Sequence, residues 1–378
     1  MKTKQLIAIA VLVILSGSQV FGATITGTAP QLTISGYSFS DLNDTIATEF
    51  ANAITQANAD LAQYKDQEQL ATGFANANMY STNAATHQGY PNYSLFAITT
   101  GVMVAAQAPT SNIDYYTGGK IEDDLEANGD LYAGVAGSVA FFNIGVNAGI
   151  FVPGLYVNVK FGKFDSAWVY DNEDFSFNTF IAGLGVSYSL IDQMGIGLAR
   201  WRGIAVGTGV VYQTTDVWYK VSLDPVSEQF FYDVPSSSDD VTGDVVVDPS
   251  FAITLDMYTV SVPFEVTTAV QLLWLLNLNL GAGIDLVTGN SDLVLKAAAD
   301  ATVENVAVGS SLLPKDEYQV TPGNLYIDGS TLGKKPKWAR ARVMTGIGFN
   351  LGPVKLDIPV IYYFDNGAAV GVTVGFIW

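Results

Sequence analysis

One alternation constrains this chain more than any other feature, and it recurs along most of its length. In AAVGVTVGFIW (368–378), Val370, Val372, Val374, Phe376 and Trp378 take one set of alternate positions. Ala369, Gly371, Thr373, Gly375 and Ile377 take the other. A period of two is a strand with two unlike faces. VKLDIPVIYYF sets Val354, Leu356, Ile358 and Val360 against Lys355, Asp357, Pro359 and Ile361. LNLNLGAGIDL sets Leu276, Leu278, Leu280 and Ile284 against Asn277, Asn279, Gly281, Gly283 and Asp285. A helix would scatter those asparagines around its circumference, whereas a strand gathers them on one face.

A soluble sandwich buries its apolar face and shows water a charged one. Here the second face is mostly Gly, Ser, Thr and Asn with isolated charges, which is the interior of a barrel whose apolar outside meets lipid. Composition agrees: 49% of residues are hydrophobic, only 14% are charged, and mean hydropathy is +0.27. The pattern predicts an all-β, antiparallel, up-and-down transmembrane barrel of about ten strands (eight to fourteen allowed) with a minor helical segment. The strands fall near 94–106, 131–148, 154–164, 176–190, 198–222, 250–271, 276–295, 338–351, 354–364 and 369–378. Links at 191–197, 272–276 and 350–353 are short, and those at 107–130, 165–174, 223–249 and 297–337 are long and acidic. An even strand count returns the C-terminus to the short-turn rim, where the last strand can pair with the first and leave no open edge. Parity shifts suggest a bulge at Met257–Thr259 and another irregularity at Gly203.

Residues 1–22 read as a signal peptide, with Lys2 and Lys4, an apolar run from Leu6 to Leu15, and Val20 and Gly22 before a cleavage site. The expected location is therefore the cell outer membrane, after export. Residues 23–93 form an N-terminal helical segment ahead of the barrel at 94–378. Its helix begins near Ser40 and Asp41, with Ile46, Phe50, Ile54 and Leu61 approximating one stripe. It is either a plug in the lumen or an arm packed under the barrel.

Most chemistry is excluded. There is no cysteine and one histidine, His87, so neither a thiol nucleophile, a zinc site nor a Ser/His triad of the usual kind has its parts. No metal, cofactor or enzymatic role is expected. A net charge of −19 argues against nucleic acid as a partner. The four arginines form two i,i+2 pairs, Arg200 with Arg202 and Arg340 with Arg342, and each pair shares a face. An Arg facing lipid at the midplane costs roughly 2–4 kcal/mol, so both pairs should face the lumen. The expected ion pairs are Arg202 with Glu265 and Arg342 with Asp285, with Lys355 and Asp357 adding to a polar interior. Mutual neutralisation that closes the lumen is favoured over a selectivity filter. The acidic links at 107–130 and 223–249 read as solvated, mobile surface.

The terminal strand resembles the C-terminal signature of bacterial outer-membrane barrels, through Val372, Val374, Phe376 and Trp378. That resemblance implies two partners, outer-membrane lipid and the outer-membrane assembly machinery that reads the signature. ATGFANANMYSTNAATHQGYPNYSLFAITTGVMV (71–104) and the LNLNLGAGIDL arm resemble the entry and a hairpin of fatty-acid-transporter barrels, without that family's usual fourteen strands or any of its ligand residues. The leading expectation is a channel or transporter for a small, possibly hydrophobic, solute. The alternative is a non-transporting surface protein or adhesin that uses its acidic loops.

Overall fold

A computed structural model of the chain describes residues 24–35, 41–44, 46–48, 50–51, 55, 68–86, 93–110, 132–168, 174–195, 198–222, 226–232, 234 and 240–378. Residues 1–22, read from the sequence as a signal peptide, and His87 lie outside the described residues, as do Ile54 and Leu61. Contacts divide the chain into two compact units, one of 1–66, 218–254 and 294–331, the other of 67–217, 255–293 and 332–378.

In chain order the elements are β1 (Thr24–Thr28), β2 (Gln31–Ile34), helix α1 (Glu68–Tyr80), β3 (Phe96–Gln107), β4 (Gly134–Asn147), β5 (Leu155–Asp165) and β6 (Phe175–Ile191). There follow β7 (Ala199–Ser222), β8 (Val226–Tyr232), β9 (Val241–Leu272), β10 (Leu276–Val308), β11 (Ser311–Leu312) and β12 (Tyr318–Thr321). β13 (Gly323–Lys334), β14 (Ala339–Leu351), β15 (Val354–Tyr363) and β16 (Gly367–Ile377) complete the chain.

The second unit is a closed antiparallel ring of 10 strands, β3 to β7, β9, β10 and β14 to β16, in which β9 pairs back onto β10. The first and last strands meet as their alternation requires, from Ile377 opposite Ala97 to Gly367 opposite Gln107. Trp378 does not fray, because its N–H donates to Phe96 O (2.9 Å) and its carbonyl accepts from Leu95 N–H (2.9 Å). Every one of the ten predicted strands is present.

The two faces separate as expected of a membrane barrel. On β10, Leu280 is 61% exposed on the outside while Asn279 is 4% exposed on the inside. β16 turns Gly367, Ala369, Gly371, Thr373 and Gly375 inward and Val370, Val372, Val374 and Phe376 outward. Aromatics mark both ends of the apolar wall. Trp378 stacks on Phe376 near the short-turn rim (6.3 Å), and Tyr362 meets Phe364 near the other (5.9 Å).

Two parity expectations separate. Gly203 carries φ +86° and divides inward Arg202 from inward Ala205 and Gln213, so the strand changes parity there. The bulge expected at Met257–Thr259 is absent: Leu255, Met257, Thr259 and Ser261 are buried without a break in parity. Leu255 and Met257 are apolar because the inside of the barrel is packed at their level, not because they face lipid.

The first unit corrects the expectation that 223–249 is mobile surface, and it shows that the long acidic connection 297–337 is also built of strands. There β1 pairs β13, β8 pairs β9, β11 pairs β10 and β12 pairs β2. Ala299, Ala301 and Val303 are buried while Asp300 is exposed, the apolar-in, charged-out alternation of a sheet in water. Residues 42–44 and 46–48 are helical, and Leu42 packs with Leu32, Ile34, Val241 and Val306. The Asn43 side chain clamps Leu32, accepting from its N–H (2.8 Å) and donating to its carbonyl (3.0 Å). The helix expected near Ser40 is thus part of this unit's core. The boundary at 93/94 also shifts, because α1 and the turn after it belong to the barrel unit.

Candidate functional site: the occupied lumen

The lumen holds α1. Ten of its 13 residues are buried, and Ser81–Asn83 extend it as a 3-10 turn. Its fastenings come from all round the ring. Asn78 is fully buried: Nδ2 donates to Thr259 Oγ1 on β9 (3.2 Å), while Oδ1 accepts from Gln213 Nε2 (2.8 Å) and Thr215 Oγ1 (2.7 Å) on β7. Ser138 on β4 donates to Ser81 O, and Lys160 on β5 donates to Thr82 O (2.9 Å) and Thr86 Oγ1 (2.5 Å). Ala85 O accepts from Thr99 on β3 (2.6 Å) and Asn143 on β4 (3.0 Å).

Tyr80 locks the end near the long-loop rim. Its ring stacks on Tyr363 at 4.0 Å, and its hydroxyl donates to Gln107 Oε1 (2.6 Å) and accepts from Arg340 Nη1 (2.7 Å). Arg340 also ion-pairs with Asp365. Two glycine contacts allow this closeness. A Cβ on Gly73 would lie 2.1 Å from Ala133 O, and one on Gly367 would lie 2.3 Å from the Tyr80 ring.

Along this path the chain runs from the Gln107 and Asp365 end of the barrel to Thr99 and Asn143, then to Leu95 beside Trp378. It therefore crosses the lumen from the long-loop rim toward the short-turn rim before β3 begins. The wall around this segment mixes hydrogen-bonding groups with apolar ones, since Met79 and Tyr80 share a buried cluster with Met103, Ile181, Met344 and Ile361. A helix enclosed on all sides has no single apolar stripe, so periodicity does not single out Asn76, Asn78, Ser81 and Thr82. The Asn- and Ala-rich composition of 71–86 was the signal that could have found them.

The lumenal charges fall into three levels. Arg342 is fully buried between Glu265 (3.0 Å) and Asp285 (3.1 Å). Lys355 pairs with Asp357 at 3.3 Å. Arg202 departs from expectation: Glu265 lies on Arg342, and Arg202 donates to Gln193 Oε1 (2.8 Å) and Gln271 Oε1 (2.6 Å). β9 carries Gln271 and β7 carries Arg202 close to the same rim, so the amide is the nearer acceptor. Arg340 joins the Tyr80 cluster, and Arg200 is exposed at the short-turn mouth.

Between the plug and that mouth lies a cavity of about 110 Å³ lined by Lys160, Glu265, Asn143, Asn158, Thr86 and Tyr93 among others. A second cavity, about 350 Å³, opens at the mouth itself. No cluster of three or more His, Cys, Asp or Glu residues suited to a metal exists among the described residues.

Solved structures with a similar course are β-barrels. The translocator domain of the autotransporter NalP from Neisseria meningitidis aligns at 8% identity over 86% of this chain and 97% of that one, with a TM-score of 0.28. The CymD monoaromatic hydrocarbon channel aligns at 8% identity over 76% and 89%, TM-score 0.23. A Pseudomonas aeruginosa FadL homologue aligns at 9% over 82% and 98%, TM-score 0.24. Similarity this low carries no information on what the present chain binds or moves. No curated protein matches the sequence. A family model described as Lsa36-like matches residues 27–378, and the chain belongs to that family.

Proposed function

We propose that this Lsa36-like chain is an outer-membrane barrel sealed by its own polypeptide, and that it anchors the folded β unit built from its long connections. The observation that carries this reading is the seal. Residues 76–86 are bound to β3, β4, β5, β7, β9 and β14, so the chain's own segment is fastened across the lumen, which supports a barrel that stays shut at rest. Export by a signal peptide over 1–22 and insertion by assembly machinery that reads Val372, Val374, Phe376 and Trp378 belong to the same reading. So does a role without catalysis. The connections once read as acidic loops supply a sheet with its own apolar core, which is a surface for a partner rather than a mobile fringe.

The test is electrical. The full chain reconstituted in planar bilayers should show no conductance steps, and liposomes containing it should not swell in small sugars. Steady open-channel current from the full chain would overturn the sealed-anchor reading.

A second reading, gated passage of a small solute, draws on the cavity beneath the plug. Its wall combines Lys160, Glu265 and asparagines with Tyr93, Leu184, Val186, Val211 and Pro263, which suits a small solute with both polar and apolar parts.

A further inference from the structure

We propose that the short-turn mouth of the barrel is a binding site for phosphate oxyanions. This inference goes beyond the sealed-anchor reading and does not depend on it. Arg200, Arg202 and Lys355 line one cavity of about 350 Å³ together with Gln271, Trp274 and Asn350. The sequence places them there by register. Arg200 and Arg202 stand in the first few residues of β7, and Lys355 is the second residue of β15, so all three start from the short-turn rim.

The chemistry is that of an oxyanion seat. Arg202 is 8% exposed, and its guanidinium is held by two neutral amide oxygens, Gln193 Oε1 and Gln271 Oε1. Gln271 is held in turn, since its Nε2 donates to Trp274 O (2.8 Å). An arginine guanidinium stays charged, and its planar array of N–H groups matches the paired oxygens of a phosphate. Arg200 is exposed on the same wall and can close on an incoming anion. Lys355, paired with Asp357 at 3.3 Å, brings a third cation.

The field points the same way. The whole chain carries −19, with only four arginines. Yet the two cavities and the wall between them carry Lys160, Arg200, Arg202, Arg342 and Lys355 against Glu265, Asp285 and Asp357, with Asp192 on the β6–β7 turn. A cationic vestibule with low-dielectric walls inside an acidic protein concentrates anions at its mouth. Trp274, exposed on the β9–β10 turn, adds a flat apolar wall beside the charged groups.

Phosphate oxygens at this mouth have two sources, soluble phosphate and a phospholipid headgroup, and the test separates them. The full chain in a neutral detergent would be titrated into inorganic phosphate, and separately into monomeric dihexanoyl phosphatidylglycerol, with phosphorus-31 line broadening as the readout. Saturable broadening of either probe supports the site. If both broaden, it takes any phosphate oxyanion; if the lipid alone does, the mouth seats a headgroup. Arg200→Gln, an exposed change that leaves the fold intact, should weaken binding at least tenfold. Arg202→Gln should do the same where its mobility on unheated gels shows a folded barrel. Lys315→Gln, which removes one exposed charge from the other unit, should bind as the unaltered chain does. The proposal is overturned if neither probe broadens saturably, or if binding survives Arg200→Gln undiminished.

Discussion

The helical stretch that starts at Leu42 and helix α1 are built on opposite plans. Leu42 is 1% exposed and lies in an apolar cluster of valines, leucine and isoleucine, with Ile46 packed beside it. α1 buries Asn76 and Asn78 completely and satisfies them with side-chain bonds to Tyr132, Thr259, Gln213 and Thr215. The first has one dry side and one wet side, which is what amphipathic periodicity encodes. The second is enclosed on all sides by wall that is polar in places and apolar in others, with Met79 in one buried cluster with Met103, Ile181 and Met344, so no single stripe marks it. The lesson is that periodicity finds helices that dock on one core face and overlooks helices enclosed in a lumen.

That contrast can be broken most forcefully at Gly367. A leucine there would enter the space of the Tyr80 ring, so Gly367→Leu should dislodge the plug and turn a silent barrel into one with measurable conductance in planar bilayers. Arg342→Met comes next. It strands Glu265 and Asp285 without their cation, and urea unfolding in lipid vesicles should show a loss of about 3–5 kcal/mol. Leu42→Ala should remove about 2–5 kcal/mol from the first unit by leaving a cavity in its core. The barrel's heat-dependent gel mobility should not change, and a parallel shift of both would contradict the division into separate cores. Asn78→Ala leaves the groups of Gln213, Thr215 and Thr259 to find other partners. A loss of about 1–3 kcal/mol is expected, seen as faster hydrogen exchange across α1. The smallest effect belongs to Glu68→Gln, which removes the solvent-exposed pair with Lys334 and should change stability by less than about 1 kcal/mol.

The lumenal charges repeat the same division between local and distant information. Arg342 meets Asp285 because β10 and β14 are neighbours with Gly283 opposite Arg342 and Asp285 opposite Arg340, a diagonal the strand pattern makes readable. Arg202 is only the fourth residue of β7 from the short-turn rim, whereas Glu265 is the eighth from that rim on β9 and Gln271 the second, so the guanidinium reaches Gln271 and Gln193 while Glu265 meets Arg342.

By itself the sequence determined the ten crossing strands, their closure through Trp378 and Phe96, and which face of each meets lipid. All of these follow from nearest-neighbour alternation, since a strand has only two sides and the bilayer accepts only one of them. Tertiary structure alone decided what fills the cylinder, and that the connections after β7 and β10 form strands, with β12 and β13 of the latter pairing with the chain's first two. Those outcomes depend on partners far apart in the chain: Asn78 with Gln213 and Thr259, Leu42 with Val306, Ile25 with Ile327. No local period records such meetings, because their stability comes from groups brought together only after the ring has closed.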